Sequence, residues 1–428
     1  MKLLTGVVRP YAWGSRTALA ELRGTPSPSA HPEAELWFGA HPASPARVCD
    51  RVEHPVDGTE PLDCPDNLLT VIDADPAGEL GTATIAEFGP RLPYLLKILA
   101  AQEPLSLQAH PSLEQAIAGF ARENAAGLAL DDPERNYRDD WHKPELVVAI
   151  TEFDALTGFR DPLVTIELLK QLDVPALDPY LGMLIGQPDE AGLRAVFTTW
   201  LTLPDKVIGT LVPAVLEGAI SVLGSGDGRF TLELRSLLEL GEAYPGDPGV
   251  LASLLLNRIR LQPGEGVYLS AGNLHAYLHG MAVELMANSD NVLRGGLTPK
   301  HIDVPELLRV LDFRPVTLEQ LMPEVRGLGA ERIYLTPAPE FRLSRIELDG
   351  TGMQSAKSIS FDMPGPQMLS VMSGRIVVEG ADGSRLIAGP GDAVWLSDSD
   401  PDVLVRAESA KAVFFRALVP GIDHSAGN

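Results

Sequence analysis

The sequence predicts a mainly β protein in which two jelly-roll units are combined with a block of helices. Three observations lead to this fold class: short apolar runs between turn residues near both ends of the chain, helical periodicity in its middle, and an internal sequence repeat. The chain has 428 residues. This length exceeds one ordinary hydrophobic core, so roughly two or three domains are expected.

The first part of the chain predicts short strands joined by long loops. Residues 1 to about 100 are rich in Pro and Gly with short apolar runs, and a further strand-like run lies at residues 141–159. Runs of this kind between turn residues are typical of β-strands. Examples are ELWFGA, LLTVI, LPYLLKIL and ELVVAI. One helix is predicted after Pro111, because Leu113, Ile117 and Phe120 recur near the helical period.

A helical block is predicted over residues 161–256. Segments such as DPLVTIELLKQL and DEAGLRAVFTTWLTL place apolar residues three and four apart, with Asp or Pro near their starts. Strand patterning resumes in residues 257–318 and ends in a short helix, where Asp303 is a suitable cap and Glu306 occupies the capping-box position. Residues 319–428 again contain short strand-like runs.

An internal repeat supports two related β units. QPGEGVYLS at residues 262–270 aligns without gaps on GPGDAVWLS at residues 389–397. A Pro-Gly-acid turn that leads into a strand is typical of jelly-roll folds, so the two copies are predicted to be the same strand of two related sheets. The repeat also places His275 opposite Asp402. Any metal ligand at this position is therefore expected only in the first copy.

The charge and composition restrict the classes of partner. The net charge is −24, which excludes nucleic acid and anionic membranes as natural partners because both need a basic surface. No apolar run approaches the roughly 20 residues of a membrane helix. An anionic substrate would instead require cations concentrated locally at the site. Two cysteines are too few for a disulfide framework, and with no signal-like N-terminus they favour a reduced, cytoplasmic location.

A candidate metal site begins in the stretch SLQAHPS. Gln108 and His110 are two residues apart, so on a strand they project from the same face, either as half of a metal site or as a polar strand end. Glu145 in WHKPE and His275 in AGNLHAYL complete a set of two imidazoles, a carboxylate and a neutral oxygen. This donor set suits zinc or ferrous iron. Taken alone, His275 is equally well explained as a hydrogen-bonded core histidine.

Several motifs resemble those of the type I mannose-6-phosphate isomerases, zinc enzymes that interconvert mannose 6-phosphate and fructose 6-phosphate. The motifs occur in order from the N-terminus to about residue 313: YAWGS, ELWFGAHPASPA, LPYLLKIL, LSLQAHPS, HKPEL, HAYLHG and VELMANSDNVLRGGLTPKHID. The resemblance implies a catalytic cupin-type jelly roll interrupted by a helical domain and followed by a second jelly roll. The implied domains are 1–160 with 257–318, then 161–256, and 319–428.

The resemblance also implies roles for particular residues. The family's zinc ligands match Gln108, His110, Glu145 and His275, with one zinc ion per chain. The family more often has Pro where this chain has Leu274, which affects the stiffness of the loop more than the identity of the ligand.

The implied catalytic residues are Arg294, Lys143, Glu284 and Asp290. Isomerisation through an enediol needs a base, an acid and a stabiliser of oxyanion charge. Glu284 or Asp290 suits proton transfer if burial raises its pKa, whereas Lys143 suits an acid at oxygen or a rival base. Arg294 stays charged and suits oxyanion stabilisation or substrate clamping, although a turn position explains it equally well.

The substrate phosphate would be held by the cations Lys97, Lys300 and Arg294, with Ser106 as a hydroxyl donor. Surface salt bridges explain any one of these cations equally well. The expected partner is therefore a small sugar phosphate, and the expected assembly is a monomer or a weak homo-oligomer.

Two other functions share part of this pattern. Two histidines and a carboxylate also describe the facial triad of iron-dependent cupin dioxygenases. Gln108 argues against that function, because it would fill a position that oxygen needs. The second alternative is a non-catalytic tandem cupin that binds sugar phosphate without turning it over, which the intact acid, Lys and Arg set disfavours.

Overall fold

The structure is a computed structural model that describes residues 1–49, 64–226, 228–349, 357–362 and 364–421. Its strands are, in chain order, β1 Lys2–Thr5, β2 Val7–Arg9, β3 Glu35–Phe38, β4 Arg47–Cys49, β5 Asp66–Asn67, β6 Tyr94–Ala101, β7 Gln108–Ala109, β8 Glu145–Ala149, β9 Phe153–Phe159, β10 Leu256–Leu261, β11 Gly266–Leu269, β12 His275–Ala287, β13 Leu293–Arg294, β14 Glu324–Leu328, β15 Glu331–Leu335, β16 Arg342–Asp349, β17 Ser358–Phe361, β18 Gln367–Ser373, β19 Ile376–Gly380, β20 Arg385–Ala388, β21 Asp392–Leu396, β22 Val403–Ala407 and β23 Lys411–Leu418. Its α-helices are α1 Ala18–Leu22, α2 Leu68–Ala74, α3 Pro76–Leu80, α4 Thr82–Phe88, α5 Leu113–Ala125, α6 Pro162–Leu172, α7 Asp178–Gly186, α8 Glu190–Leu201, α9 Asp205–Ser225, α10 Thr231–Ala243, α11 Gly249–Ala252, α12 Val304–Val310 and α13 Leu318–Leu321.

The first sheet is organised around β12, a strand of 13 residues. Its main path runs β10-β9-β12-β6-β3-β2, and β7, β8, β11 and β13 attach to this path. The N-terminal end of β12 pairs with β7 and β9, whereas its C-terminal half pairs with β6 and β8. One long strand therefore presents His275 and Glu284 to different neighbours.

The second β unit consists of two sheets that enclose a separate apolar core. One sheet has the order β14-β15-β16-β23-β18-β21-β1-β4-β5, and the other has the order β17-β22-β19-β20. Their core includes Leu348, Val371, Ile376 and Phe414, all of them buried. These strands and the helical segment confirm the predicted fold class, mainly β with a helical insertion.

The start of the chain belongs to the second β unit. Strand β1 pairs with β21, with Leu3 opposite Val394, and β4 continues the same sheet. The predicted boundaries of 1–160, 161–256, 257–318 and 319–428 did not anticipate this crossing. The division into domains otherwise stays a prediction.

Helices fill the segment between β9 and β10, and their caps follow the predicted pattern. The Asp161 side chain accepts a hydrogen bond from the backbone N–H of Leu163 at the start of α6. The Asp189 side chain accepts from the second and third residues of α8 in the same way. The helical core contacts the first β unit through Phe197 of α8, whose ring packs edge-on against those of Phe159 and Phe313 at 5.7 Å in both cases.

Helix α9 is long and apolar enough to cross a membrane when judged by length and composition alone, with a mean hydropathy of 1.8. The expectation that no apolar run approaches the length of a membrane helix is therefore wrong for this segment. Six of its residues are nevertheless buried against the other helices: Ile208, Leu211, Val212, Val215, Ala219 and Val222. Helix α9 is therefore a core helix of the helical unit in this structure.

The internal repeat corresponds to the same turn in both units. The Glu265 carboxylate accepts from the backbone N–H of Gln262 at 2.8 Å, and the Asp392 carboxylate accepts from that of Gly389 at 2.9 Å. Gly264 and Gly391 both adopt positive φ, at 89° and 83°. Each turn leads into the repeated strand, β11 or β21, which confirms the prediction.

Two sequence-based expectations are wrong. The run LLTVI forms helix α2 and not a strand, because Asn67 caps it and the buried Leu68 and Ile72 are four residues apart. The two cysteines are joined as a disulfide, Cys49–Cys64. The antiparallel pairing of β4 with β5 brings these distant positions together, which the spacing of two cysteines alone does not show.

Candidate metal centre and substrate cavity

Two short strands, β7 and β13, and the long strand β12 align the polar residues of the site. Gln108 on β7 is registered opposite His275 on β12 and opposite Arg294 on β13. Directly opposite residues of antiparallel strands project their side chains from one face. Gln108 therefore lies between His275 and Arg294 on a rigid frame, and His110 follows immediately after β7.

The side chains of His110, Glu145 and His275 converge on one point. The two oxygens of Glu145 lie 3.3 Å from Nε2 of His110 and 3.4 Å from Nε2 of His275. One donor atom from each residue lies within 4.8 Å of the others, and all three residues are buried. The structure thus brings together the three ionisable residues of the predicted ligand set.

Backbone carbonyls orient both imidazoles. Nδ1 of His110 lies 2.8 Å from the Asn291 carbonyl oxygen, and Nδ1 of His275 lies 3.1 Å from that of Asn273. A carbonyl only accepts hydrogen bonds, so each Nδ1 carries the proton in the neutral ring and each Nε2 presents a lone pair towards Glu145. This is the tautomer that ligates a metal ion.

The environment of His110 fits a divalent cation. Burial lowers the pKa of His110 to about 4 despite the nearby Glu145 carboxylate, so the ring is neutral at physiological pH. Its Nε2 is buried without a hydrogen-bond partner. A buried polar atom without a partner is costly, and a metal ion at this point would satisfy it.

Glu145 is held as a carboxylate. Lys143 Nζ lies 3.1 Å from its Oε1. Burial alone would raise the pKa of Glu145, but the Lys143 ammonium helps to hold it well below its ordinary value. The site therefore offers one negative charge and the Nε2 atoms of two imidazoles. Gln108 lines the same cavity and donates its amide N–H to Ser106 Oγ at 3.3 Å.

Lys97, Glu284 and Tyr277 form a buried network beside this centre. Lys97 Nζ lies 3.0 Å from Glu284 Oε2, and the Tyr277 hydroxyl donates to Glu284 Oε1 at 2.7 Å. Burial alone would lower the pKa of Lys97, but Glu284 and other nearby carboxylates raise it above its ordinary value. Both oxygens of Glu284 are therefore engaged, and Lys97 is paired with this acid.

Asp290 is partly exposed to the cavity and is oriented by a histidine that the sequence analysis did not select. Oδ2 of Asp290 lies 3.3 Å from His41 Nε2. His41 Nδ1 accepts from the backbone N–H of Ala43 at 3.1 Å, so its Nε2 carries the proton that Asp290 accepts. Burial alone would raise the pKa of Asp290, but His41, Lys143 and Arg138 lower it. The signal for His41 was present in the motif ELWFGAHPASPA.

A cluster of cations, defined as Arg138, Arg294 and Lys300, lines the same cavity. Burial and the Arg138 guanidinium lower the pKa of Arg294, and burial and both arginines lower the pKa of Lys300. Within the described part of the chain, none of the three has a carboxylate within ion-pair distance. Arg138 was missed by the sequence analysis, although it lies only five residues before Lys143.

One cavity of about 960 Å³ joins these groups. All of the predicted site residues except His110 line it: Lys97, Ser106, Gln108, Lys143, Glu145, His275, Glu284, Asp290, Arg294 and Lys300. Its volume lies within the usual range for a small-molecule site. The site therefore combines a buried centre of metal-ligand type with cations that lack acidic partners.

Comparison with known proteins identifies the family. The chain is 37% identical over 421 residues to the mannose-6-phosphate isomerase of Escherichia coli (strain K12), with 98% of this chain and 100% of the relative covered. Residues 1–162 match the family described as phosphomannose isomerase type I, catalytic domain. The chain belongs to the type I mannose-6-phosphate isomerase family.

Other members of this family extend the similarity across kingdoms and to solved structures. The human mannose-6-phosphate isomerase is 30% identical over 436 residues, with 94% of this chain and 96% of the relative covered. A crystal structure of the Salmonella typhimurium mannose 6-phosphate isomerase, bound to its substrate fructose 6-phosphate and to zinc, has a TM-score of 0.85 and 34% identity. That match covers 98% of this chain and 99% of the other chain.

Proposed function

We propose that this protein is a zinc-dependent isomerase that interconverts mannose 6-phosphate and fructose 6-phosphate through an enediol. The observation that carries the proposal is one cavity that contains both the buried His110–Glu145–His275 centre and the Arg138–Arg294–Lys300 cluster. The first suits a metal ion that faces sugar oxygens, and the second suits a phosphate. Family membership supports both assignments.

The zinc ligands we propose are Gln108, His110, Glu145 and His275, with one ion per chain. The neutral imidazole of His110, its unpartnered Nε2 and the ionised Glu145 fit this role. Zinc would supply Lewis acidity towards sugar oxygens and would orient them. The neutral oxygen of Gln108 completes a four-ligand set without a further charge.

For the proton transfer between the two carbons, the contacts favour Asp290 over Glu284. Both Glu284 oxygens are engaged, by Tyr277 and Lys97, so protonation of Glu284 would disrupt a buried ion pair. Asp290 uses only Oδ2 towards His41 among the described contacts. We therefore assign Asp290 to the proton shuttle, as an ionised base whose pKa is lowered and not raised as the sequence-based expectation required, and Glu284 to holding the Lys97 ammonium. Lys143, beside Glu145, is the proposed acid at a sugar oxygen.

We assign the phosphate to Arg138, Arg294 and Lys300. Lys97, which the sequence analysis grouped with the phosphate ligands, is instead paired with Glu284, and this supports a place for it beside the sugar ring. Arg294 keeps its proton and presents a planar fork that suits an oxyanion. Ser106 contacts Gln108, so its proposed role as a hydroxyl donor lies close to the metal centre.

The decisive assay is conversion of mannose 6-phosphate by the purified protein, before and after treatment with a chelator, with oxygen consumption recorded in parallel. We expect fructose 6-phosphate from the metal-replete protein, little after chelation, and no oxygen uptake. Absence of fructose 6-phosphate from the zinc-loaded protein would reject the proposal, and oxygen uptake would favour the dioxygenase alternative. Binding without turnover would favour the non-catalytic alternative.

The remaining partner assignments are also proposals. The net charge of −24 supports the absence of nucleic-acid and anionic-membrane partners. A monomer or weak homo-oligomer and a cytoplasmic location are retained as predictions. The Cys49–Cys64 disulfide argues against the second of these, because disulfides are rare in the cytosol.

A further inference from the structure

Asn291 lies at the junction between the metal centre and a segment that lines the cavity. It is fully buried. Its carbonyl oxygen accepts from Nδ1 of His110 at 2.8 Å, the contact that sets the tautomer of this ring. The same residue therefore supports a proposed metal ligand through its main chain and leaves its side chain for another purpose.

The Asn291 side chain is fully used by the segment 138–141. Its Oδ1 accepts from the backbone N–H groups of Arg138 at 2.7 Å and Asp139 at 3.2 Å. Its Nδ2 donates to the carbonyl oxygens of Asp139 and Trp141, both at 2.8 Å. A carboxamide is required for this pattern, since only an amide group accepts at one end and donates twice at the other.

The two residues before Asn291 reinforce the same contact. Ser289 Oγ donates to Asp139 Oδ1 at 2.7 Å, and the backbone N–H of Asp290 donates to Asp139 Oδ2 at 2.8 Å. We call this set, residues 289–291 with residues 138–141, the Asn291 clasp. One of its segments carries Asp290 and leads to Arg294, while the other carries Arg138 and leads to Lys143. The clasp thus joins the two segments that supply these cavity charges.

We propose that Asn291 is a positioning residue for the isomerisation, which holds His110 and the segment bearing Arg138 in one fixed arrangement. The proposal rests on the proposed function and deepens it. A substrate held at its sugar oxygens and at its phosphate needs both ends of the cavity at a fixed separation. A displacement of about 1 Å between binding groups can cost roughly 100-fold in rate, so the clasp acts on turnover without contacting the substrate.

A matched control distinguishes positioning from simple structural support. Asn257 also places its Nδ2 near four backbone carbonyls, those of Thr157, Gly158, Phe159 and Val316, at 3.0–3.3 Å. Asn257 does not line the cavity. Asn257→Asp and Asn291→Asp therefore remove the same amide donors at two places, and only one of them adjoins the site.

The experiment compares wild type, Asn291→Asp and Asn257→Asp at a temperature well below the unfolding of each. Zinc content, the affinity for inorganic phosphate, kcat and KM are measured. For Asn291→Asp we expect zinc near that of wild type, because the contact to His110 uses the main chain. We expect phosphate affinity and kcat/KM to fall by roughly tenfold to 100-fold. Asn257→Asp should lower the Tm and leave phosphate affinity and kcat/KM within about twofold of wild type, a margin well below that loss.

Wild-type phosphate affinity and kcat/KM in Asn291→Asp would overturn the proposal, as would equal losses in both variants. If Asn291→Asp does not fold, Asp139→Asn tests the clasp from the opposite side, and a folded Asp139→Asn with unchanged phosphate affinity and kcat/KM overturns it. Failure of the proposed function is recognised separately, because wild type itself would then not convert mannose 6-phosphate. Phosphate binding would still test the clasp.

Discussion

Replacing Arg294 by Gln should reduce ligand binding without destabilising the protein. Arg294 has no carboxylate partner among the described residues, and burial together with Arg138 lowers its pKa. The folded protein therefore gains nothing from this charge before substrate binds. We expect the free energy of unfolding of Arg294→Gln to equal or exceed that of wild type by up to about 0.5–1 kcal/mol, the usual scale of an exposed charge interaction.

The effect on binding follows from the charged hydrogen bond that is lost. Such a bond contributes about 1.5–3 kcal/mol, which corresponds to roughly 10-fold to 150-fold in affinity. We expect this loss for inorganic phosphate and for mannose 6-phosphate, with zinc content unchanged. Denaturant unfolding with and without phosphate measures both quantities on one sample. Arg314→Gln is the control, since Arg314 is exposed and pairs with Asp312 away from the cavity.

A large loss of stability in Arg294→Gln would refute this reasoning. The Arg258 side chain is mostly buried and pairs with Asp154 at 2.7 Å, so Arg258→Gln should lose stability, although by less than a fully broken buried pair because Arg260 also binds Asp154. If Arg294→Gln lost as much stability as Arg258→Gln, Arg294 would be a structural arginine. An unchanged phosphate affinity would also contradict its assignment to the phosphate.

Three further predictions concern other buried groups. Glu284→Gln leaves the Lys97 ammonium buried without its 3.0 Å carboxylate partner, so denaturant unfolding should show that the free energy of unfolding falls by about 3–5 kcal/mol. Adding Lys97→Met should restore much of this loss. Additive losses in the double variant would contradict the pairing. Glu340 comes from the second β unit and accepts a hydrogen bond from His142 Nε2. We expect Glu340→Leu to lower kcat by roughly tenfold at unchanged zinc content. Full activity of this variant would show that the contact does not act on the site. In zinc-free protein the pKa of His110 is lowered to about 4, so the unfolded state binds more protons than the folded state between pH 6.5 and 4. The free energy of unfolding should therefore fall by about 3 kcal/mol as the pH is lowered through this range. An equal fall in His110→Gln would contradict this origin.

Much of the fold was predictable because its signals are local. The helical period, the Asp caps and the Pro-Gly-acid turns each depend on a few neighbouring residues, and the structure contains all three features. The run LLTVI was assigned to a strand because its residues favour β structure, but Asn67 and the four-residue spacing of Leu68 and Ile72 prevailed. The pairing of β1 with β21 joins residues nearly 400 positions apart. No local pattern predicts such a contact.

In the candidate site, too, some residues were predictable from local motifs and others were not. His110, Glu145 and His275 occur in recognisable motifs, and the structure brings them together. Arg138 was overlooked because a single arginine in a polar loop resembles any solvated cation. Its importance depends on the approach of the segment that bears Arg294, which only the three-dimensional structure reveals.

The central claim is that one zinc ion at the His110–Glu145–His275 centre makes this chain a mannose-6-phosphate isomerase. The most direct measurement is a zinc titration of the metal-stripped protein, with the formation of fructose 6-phosphate recorded at each step. We predict that activity rises in proportion to added zinc, stops rising at one equivalent per chain, and is absent throughout from Glu145→Gln. Turnover that does not depend on zinc, or a fully active Glu145→Gln, would contradict the account.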